Sequence, residues 1–292
     1  MKKERTNAMK RFSIILAILA LSLAMLCSVG NAVQIIPQSA LTPSTQYYTD
    51  IIGGGIGNAL VMTGGGSNAN VGFSRNDDGF SGPINLGFTR SFFGQNYTTF
   101  WANNNGNISF NAGISAYTPA GPTGASSPII SPFFADVDTR NLSSGLMYLR
   151  NDIPNQIIVT WDSVGYYNQH ADKLNSFQLV LRGPDYVVPV GEGAIGFFYK
   201  TMEWETGDAS SGSGGFGGTP AAVGFGDGLG NGEVLAGSIQ NGISGVVNNH
   251  YIWFDPNLQP INNAVPEPAT MLLLGSGLIG LAGYGKKKFF KK

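Results

Sequence analysis

The sequence predicts an all-β protein, an antiparallel β-sandwich, with a signal helix ahead of it and a single transmembrane helix behind it. Apolar, β-branched and aromatic runs recur about every ten residues through the middle of the chain, and turn signals rich in Gly, Asn and Asp divide them. No long segment with a helical period lies between the two apolar ends. Glycine makes up 42 of 292 residues and charged residues only 12%, against a usual charged share of about 25%. That much glycine suits many tight turns, and the lack of a Gly-X-Y period excludes collagen.

Residues 1–32 have the three parts of a secretory signal peptide. Lys2, Lys3, Arg5, Lys10 and Arg11 form a basic start, residues 12–26 (FSIILAILALSLAML) an apolar stretch, and Gly30-Asn31-Ala32 a small-residue cleavage site. Signal peptidase is expected to cut between Ala32 and Val33 after delivery by the general secretion machinery. Cys27 is the one cysteine of the chain and leaves with the signal. The mature protein then has no disulfide, thiolate metal site or cysteine nucleophile, and its core and sheet hydrogen bonds must hold it together.

Residues 33–75 read as lead-in strands and Gly-rich loops. Gly53-Gly54-Gly55-Ile56-Gly57 is one such loop, with no Lys-Ser/Thr after it to make a phosphate site. Residues 76–262 read as the sandwich. Its strands are expected at 97–102 (YTTFWA), 107–111 (NISFN), 156–164 (QIIVTWDSV), 176–181 (SFQLVL), 194–200 (AIGFFYK) and 251–254 (YIWF). Asp77-Asp78-Gly79, Asn103-Asn104-Asn105-Gly106, Arg182-Gly183-Pro184-Asp185 and Gly226-Asp227-Gly228 are the turns between them. A short helical turn is expected at 171–175, and the run 208–218 (DASSGSGGFGG) reads as a flexible insertion.

Residues 263–292 form a second export signal. Val265-Pro266-Glu267-Pro268 precedes a transmembrane segment at 269–285 and a basic tail at 286–292 with five lysines. The prolines break the backbone ahead of the helix and leave an extended stretch that a processing enzyme can grip. The lysines belong on the cytoplasmic side, which places the body outside. Between the two basic ends the chain holds seven basic residues against seventeen acidic ones, so its body repels phosphate backbones and nucleic acid is excluded as a partner.

This tripartite end resembles the PEP-CTERM sorting signal of Gram-negative bacteria. The resemblance implies an exosortase, a membrane transpeptidase, as partner. The protein would be held briefly in the inner membrane through its C-terminal helix and then passed to the cell surface or outside. It also implies a bacterium that makes an exopolysaccharide matrix. A plain single-pass anchor is the alternative.

The body resembles the NIDO domain, the extracellular module named after nidogen, over residues 76–254. Asn76-Asp77-Asp78-Gly79, Ile84-Asn85-Leu86-Gly87-Phe88, Phe92-Phe93-Gly94 and Trp101-Ala102-Asn103-Asn104-Asn105-Gly106-Asn107-Ile108-Ser109-Phe110 match its opening half. Pro128-Ile129-Ile130-Ser131-Pro132-Phe133-Phe134-Ala135-Asp136-Val137-Asp138 matches its centre. Val159-Thr160-Trp161, Trp204-Glu205-Thr206-Gly207 and Ala222-Val223-Gly224-Phe225-Gly226-Asp227-Gly228 fit the later strands. The resemblance implies a non-catalytic module of adhesion and matrix proteins and names no ligand.

Few residues suggest chemistry. Asp136 and Asp138 share a strand face by period two, and with Asp227 or Asp162 they offer oxygens to calcium, the one candidate cofactor. The plainer reading has them accept backbone N–H bonds at a strand end. Glu203 and Glu205 are expected on one face about 7 Å apart, with Trp204 opposite. A retaining glycosidase needs about 5 to 5.5 Å and a shared cleft, so solvated carboxylates over a core Trp are the better fit. His170 near Asp172 and the distant His250 read as surface residues, and no Gly-x-Ser-x-Gly elbow accompanies them. The function expected is a non-enzymatic surface or matrix protein for adhesion or biofilm, which would meet exopolysaccharide or matrix proteins. A lectin-like carbohydrate-binding module, with calcium, is the alternative. Exposed Trp101, Tyr166, Tyr167 or Trp253 would favour it.

Overall fold

A computed structural model describes residues 32–65 and 70–261. The signal segment 1–31, the sorting motif Val265-Pro266-Glu267-Pro268 and the segment 269–285 lie outside the described residues. Among the described residues no helix is long and apolar enough to cross a membrane.

Two sheets carry the fold. The first contains β1 (Val33–Ile36), β4 (Gly64–Gly65), β5 (Gly79–Phe80), β6 (Ile84–Phe92), β7 (Gln95–Asn103), β8 (Asn107–Ser109), β9 (Ile129–Phe134), β14 (Ala222–Gly226) and β15 (Gly232–Leu235). Its order is β1-β15-β14-β9-β8-β7-β5-β4, with β6 paired to β7. The second contains β2 (Thr42–Pro43), β3 (Asn58–Ala59), β10 (Leu146–Arg150), β11 (Gln156–Tyr166), β12 (His170–Arg182), β13 (Ile195–Met202) and β16 (His250–Phe254), in the order β2-β16-β13-β12-β11-β10-β3. The expected strands at 97–102, 107–111, 156–164, 176–181, 194–200 and 251–254 fall on β7, β8, β11, β12, β13 and β16.

Period two along β12 explains how the layers stack. Phe177, Leu179 and Leu181 point into the main core, where Phe177 stacks on Trp161 at 5.0 Å and meets Phe133 of the other sheet at 5.6 Å. Phe197 and Phe225 close the same core from opposite sheets at 5.4 Å. Gln178, Val180 and Arg182 take the other face, and they too are buried. Their cover is α1 (Tyr48–Ile52), whose Tyr48 packs with Val180, Phe198, Ile158 and Trp253 in a second cluster. Gln178 Nε2 donates to Thr49 Oγ1 and Thr160 Oγ1 at 3.1 and 2.7 Å, pinning the cover to the sheet.

The structure refines the sequence reading in four places. The sandwich is not wholly antiparallel, because β1 pairs with β15 in parallel, Val33 opposite Gly232. No hairpin links these two strands, so no turn imposes the antiparallel sense. The lead-in residues 33–75 supply strands to both sheets and the cover of one outer face. Residues 171–175 are strand rather than helical turn, since the β11–β12 hairpin extends to the pair Tyr166 and His170. The run 208–218 is folded back on itself: the Glu205 and Thr206 N–H groups both donate to Gly215 O, and Thr219 N–H donates to Ser210 O.

Glu233 on β15 gives a stability prediction. It is 7% exposed and stands near Asp255, so burial first and that neighbouring charge second push its carboxyl up to about 7. An acid raised in the folded state binds an extra proton there, so its contribution is intact below the ordinary value of 4.5 and is lost as pH rises towards 7. Glu233→Gln is therefore expected to stabilise the protein relative to the native chain at about pH 8 and to leave it unchanged near pH 4.5. Urea unfolding at the two pH values measures this, and an equal effect at both would contradict it.

Candidate functional site

At one end of the sandwich, turns from both sheets converge on a group of carboxylates. The contributors are the 76–78 segment before β5, the 103–107 turn between β7 and β8, the 135–140 segment after β9, the β11–β12 turn, and the 203–210 segment after β13. Asn104 and Asn105 knit them together. Asn104 Nδ2 donates to Val137 O, and Asn105 Oδ1 accepts the Val137 N–H at 3.0 Å. Asn105 Nδ2 donates to Asp78 Oδ1 at 2.8 Å and to Ala116 O at 3.1 Å. Thr139 N–H donates to Asn76 O at 2.9 Å, and the Thr139 hydroxyl accepts the Asn76 N–H at 2.7 Å and donates to Asn76 O at 3.0 Å. Trp161 Nε1 donates to Asn104 O at 3.0 Å, fixing the turn to the core.

Within this frame Asp77, Asp78 and Asp136 each bring one carboxylate oxygen within 4.8 Å of the others. Asp77 is 0% and Asp136 1% exposed. Among the described residues neither Asp136 oxygen has a hydrogen-bond partner, and the two Asp77 oxygens also lack one. Arg140 Nη2 stands 2.9 Å from Asp77 Oδ2, an ion contact without hydrogen-bond geometry. Burial first, then the charges of Asp78, Asp77 and Asp138, push the Asp136 carboxyl up to about 8. Burial and the Asp138 charge push Asp77 to about 7, and burial raises Asp78.

The geometry groups Asp136 with Asp77 and Asp78, and Asp138 is not part of that group. Asp138 is buried but satisfied: Oδ1 accepts from Arg140 N–H and Nε at 2.9 and 3.0 Å, and Oδ2 accepts from Arg140 Nη2 at 2.6 Å and Gln169 N–H at 2.8 Å. It is the strand-end acceptor that the plainer reading described. Asp227 is spent on its own loop, accepting the Leu229 and Asn231 N–H groups at 2.7 and 3.0 Å. Asp162 accepts the Tyr47 hydroxyl at 2.9 Å. Asp77 and Asp78 were legible only as turn residues, although the Asn76-Asp77-Asp78-Gly79 motif had marked the place.

The other candidates separate. Trp204 is fully buried with its Nε1 on Val164 O at 3.0 Å. Glu203 is exposed and accepts the Leu174 N–H at 2.8 Å. Glu205 is 1% exposed rather than solvated, because its oxygens accept the N–H groups of Gly242 and Ser244 at 2.8 and 3.0 Å and the Ser244 hydroxyl at 3.0 Å, anchoring the start of α2 (Ile243–Val247). The two glutamates hold different elements and converge on no cleft. His170 Nε2 lies 2.8 Å from Asp208 Oδ2, while Asp172 takes the Tyr166 hydroxyl at 2.9 Å. His250 Nδ1 lies 2.8 Å from Asn248 O. Of the four aromatic residues that a sugar platform would expose, Tyr166 and Trp253 are buried, and Trp101 and Tyr167 are half-buried. At the cleavage site, Val33 opens β1 and Ala32 O accepts the Gly232 N–H at 3.0 Å.

Residues 43–259 match the family described as NIDO related, and residues 264–287 match the PEP-CTERM protein-sorting motif. The first span starts well ahead of residue 76, in keeping with lead-in strands that pair within both sheets. Alpha-tectorin of Mus musculus and of Homo sapiens are each 34% identical over 183 residues, and that of Gallus gallus is 32% identical over 181. Each alignment covers 52% of this chain and 8% of the relative, so the chain spans a small part of their length. No solved structure matches the chain.

Proposed function

The chain belongs to the NIDO-related family and carries the PEP-CTERM sorting motif, and from that premise we propose that it works without catalysis, in adhesion or in a biofilm matrix. It is an exported surface or extracellular protein processed by exosortase. The joining of these two modules on one chain is the observation that carries the proposal. An extracellular-type binding domain is attached to a signal that delivers it outside. The separate duties of Glu203 and Glu205 support the non-catalytic part. In this reading the segment at 269–285 holds the chain in the inner membrane until exosortase acts at the Val265-Pro266-Glu267-Pro268 motif, and exopolysaccharide or matrix proteins are the partners met afterwards.

Fractionation and intact mass of the protein from its own host, with and without a working exosortase, test this. A shortened product outside the inner membrane in the competent host, beside full-length membrane-bound protein in the deficient one, is the expected result. Full-length protein in the inner membrane of both hosts would make the tail a permanent anchor and overturn the matrix reading. A carbohydrate-binding role has one observation in its favour, the partial exposure of Trp101 and Tyr167. Loss of retention on the host exopolysaccharide in Trp101→Ala or Tyr167→Ala would select it.

A further inference from the structure

We propose that Asp77, Asp78 and Asp136 form a calcium site that clamps the 76–78 and 135–140 segments together. The inference concerns the body alone and stands whether or not the sorting proposal holds. Calcium takes oxygen ligands at about 2.3 to 2.6 Å, so two ligands on opposite sides of the ion stand about 4.8 Å apart. The three carboxylates present one oxygen each within that span. Magnesium demands a strict octahedron and keeps several of its waters rather than entering an all-protein cage, so buried protein oxygens suit calcium better. Among the described residues no sulfur or imidazole joins the cluster, and an all-oxygen set selects a hard cation.

The second observation is Asp136 itself. It is 1% exposed, and both its oxygens lack any donor while it stands against two other acids. An ionised carboxylate buried without a donor is among the costliest arrangements a fold can contain. The neighbouring Asp138 shows the usual remedy, since it has a guanidinium and two backbone N–H groups. Asp136 has no such remedy among the described residues, and a divalent ion supplies one. Gly207 covers it without a side chain, because a Cβ there would come within 2.5 Å of Asp136 Oδ2. Asn76 Oδ1 and Asn104 Oδ1 are also buried without a donor, and as neutral oxygens on the same turns they are suited to complete a shell.

The full chain, stripped of metal with a chelator, is titrated with calcium chloride, with metal content measured by elemental analysis and thermal unfolding followed in parallel. One calcium per chain is expected, bound in the range of extracellular modules, about 10⁻⁴ to 10⁻³ M or tighter, with a melting temperature that rises on binding. Asp78→Asn and Asp136→Asn should each weaken binding by about tenfold or more and abolish the rise, whereas Asp227→Asn keeps both. In chelator, Asp136→Asn should melt no lower than the native chain, since it removes a buried carboxyl that has no donor. Asp78 is half-buried and provides the test should the Asp136 variant fail to fold. No saturable uptake at free calcium well above about 1 mM would overturn the proposal. So would binding undiminished in the folded variants, or a preference for magnesium.

Discussion

Gly106→Ala should destabilise the domain by about 2 to 4 kcal/mol, read as a fall in the urea midpoint at unchanged slope. Gly106 sits at φ +75°, a conformation that costs an L side chain about 1 kcal/mol. An added Cβ would also stand 1.8 Å from Phe133 O. A backbone oxygen cannot rotate away as a side chain can, so the turn or β9 must move. Either movement disturbs the bonds of Asn104 and Asn105 to Val137, and with them the placing of Asp136. A cost below about 1 kcal/mol would mean that the 103–107 turn is far more compliant than its packing indicates.

Arg182→Ala should cost about 3 to 5 kcal/mol, the usual loss when one partner of a buried ion pair is removed. Arg182 is 0% exposed. Its guanidinium lies 4.4 Å from the ring centres of Trp253 and Tyr186, and it donates to Gln156 Oε1 and Gly193 O at 2.8 Å, to the Tyr48 hydroxyl at 2.6 Å, and to Glu192. Truncation leaves Gln156 Oε1 and Gly193 O without this donor and the Tyr48 hydroxyl and Glu192 bonded only to each other. Arg182→Lys retains the charge but not the planar fork that fits between the rings, so an intermediate loss is expected. Equal stability of the lysine variant and the native chain would show that charge alone matters here.

The sequence made visible what depends on local pattern. β7, β11, β12, β13 and β16 were legible because β-branched and aromatic side chains alternate along them. β14 was placed among the later strands only through the family resemblance, since Ala222-Val223-Gly224-Phe225-Gly226 lacks the β-branched and aromatic alternation of the others, and Gly224 is needed where a Cβ would meet Glu233 O at 2.1 Å. The pairing of β1 with β15 joins residues about 200 apart, beyond any local signal. At the acidic cluster, Asp136 was singled out by the sequence, while Asp77 and Asp78 read only as turn residues. Arg140 two residues on shares the side of Asp138 on an extended chain, and that spacing is the local signal for their ion pair. Glu205 was misjudged because the helix start that buries it is 37 residues away.

The pairing of the first strands with the last sets the order in which this protein can fold. β1 needs β15 and β2 needs β16, so residues 33–43 have no partners until residues 232–254 have been delivered. Were the chain exported N-terminus first through a channel, it could not close its sandwich while the channel still held its second half. Such late, long-range closure is slow, which keeps the polypeptide threadable for as long as threading lasts. It also leaves strand edges unpaired during transit, a period of exposure to wrong partners that ends when β15 and β16 emerge.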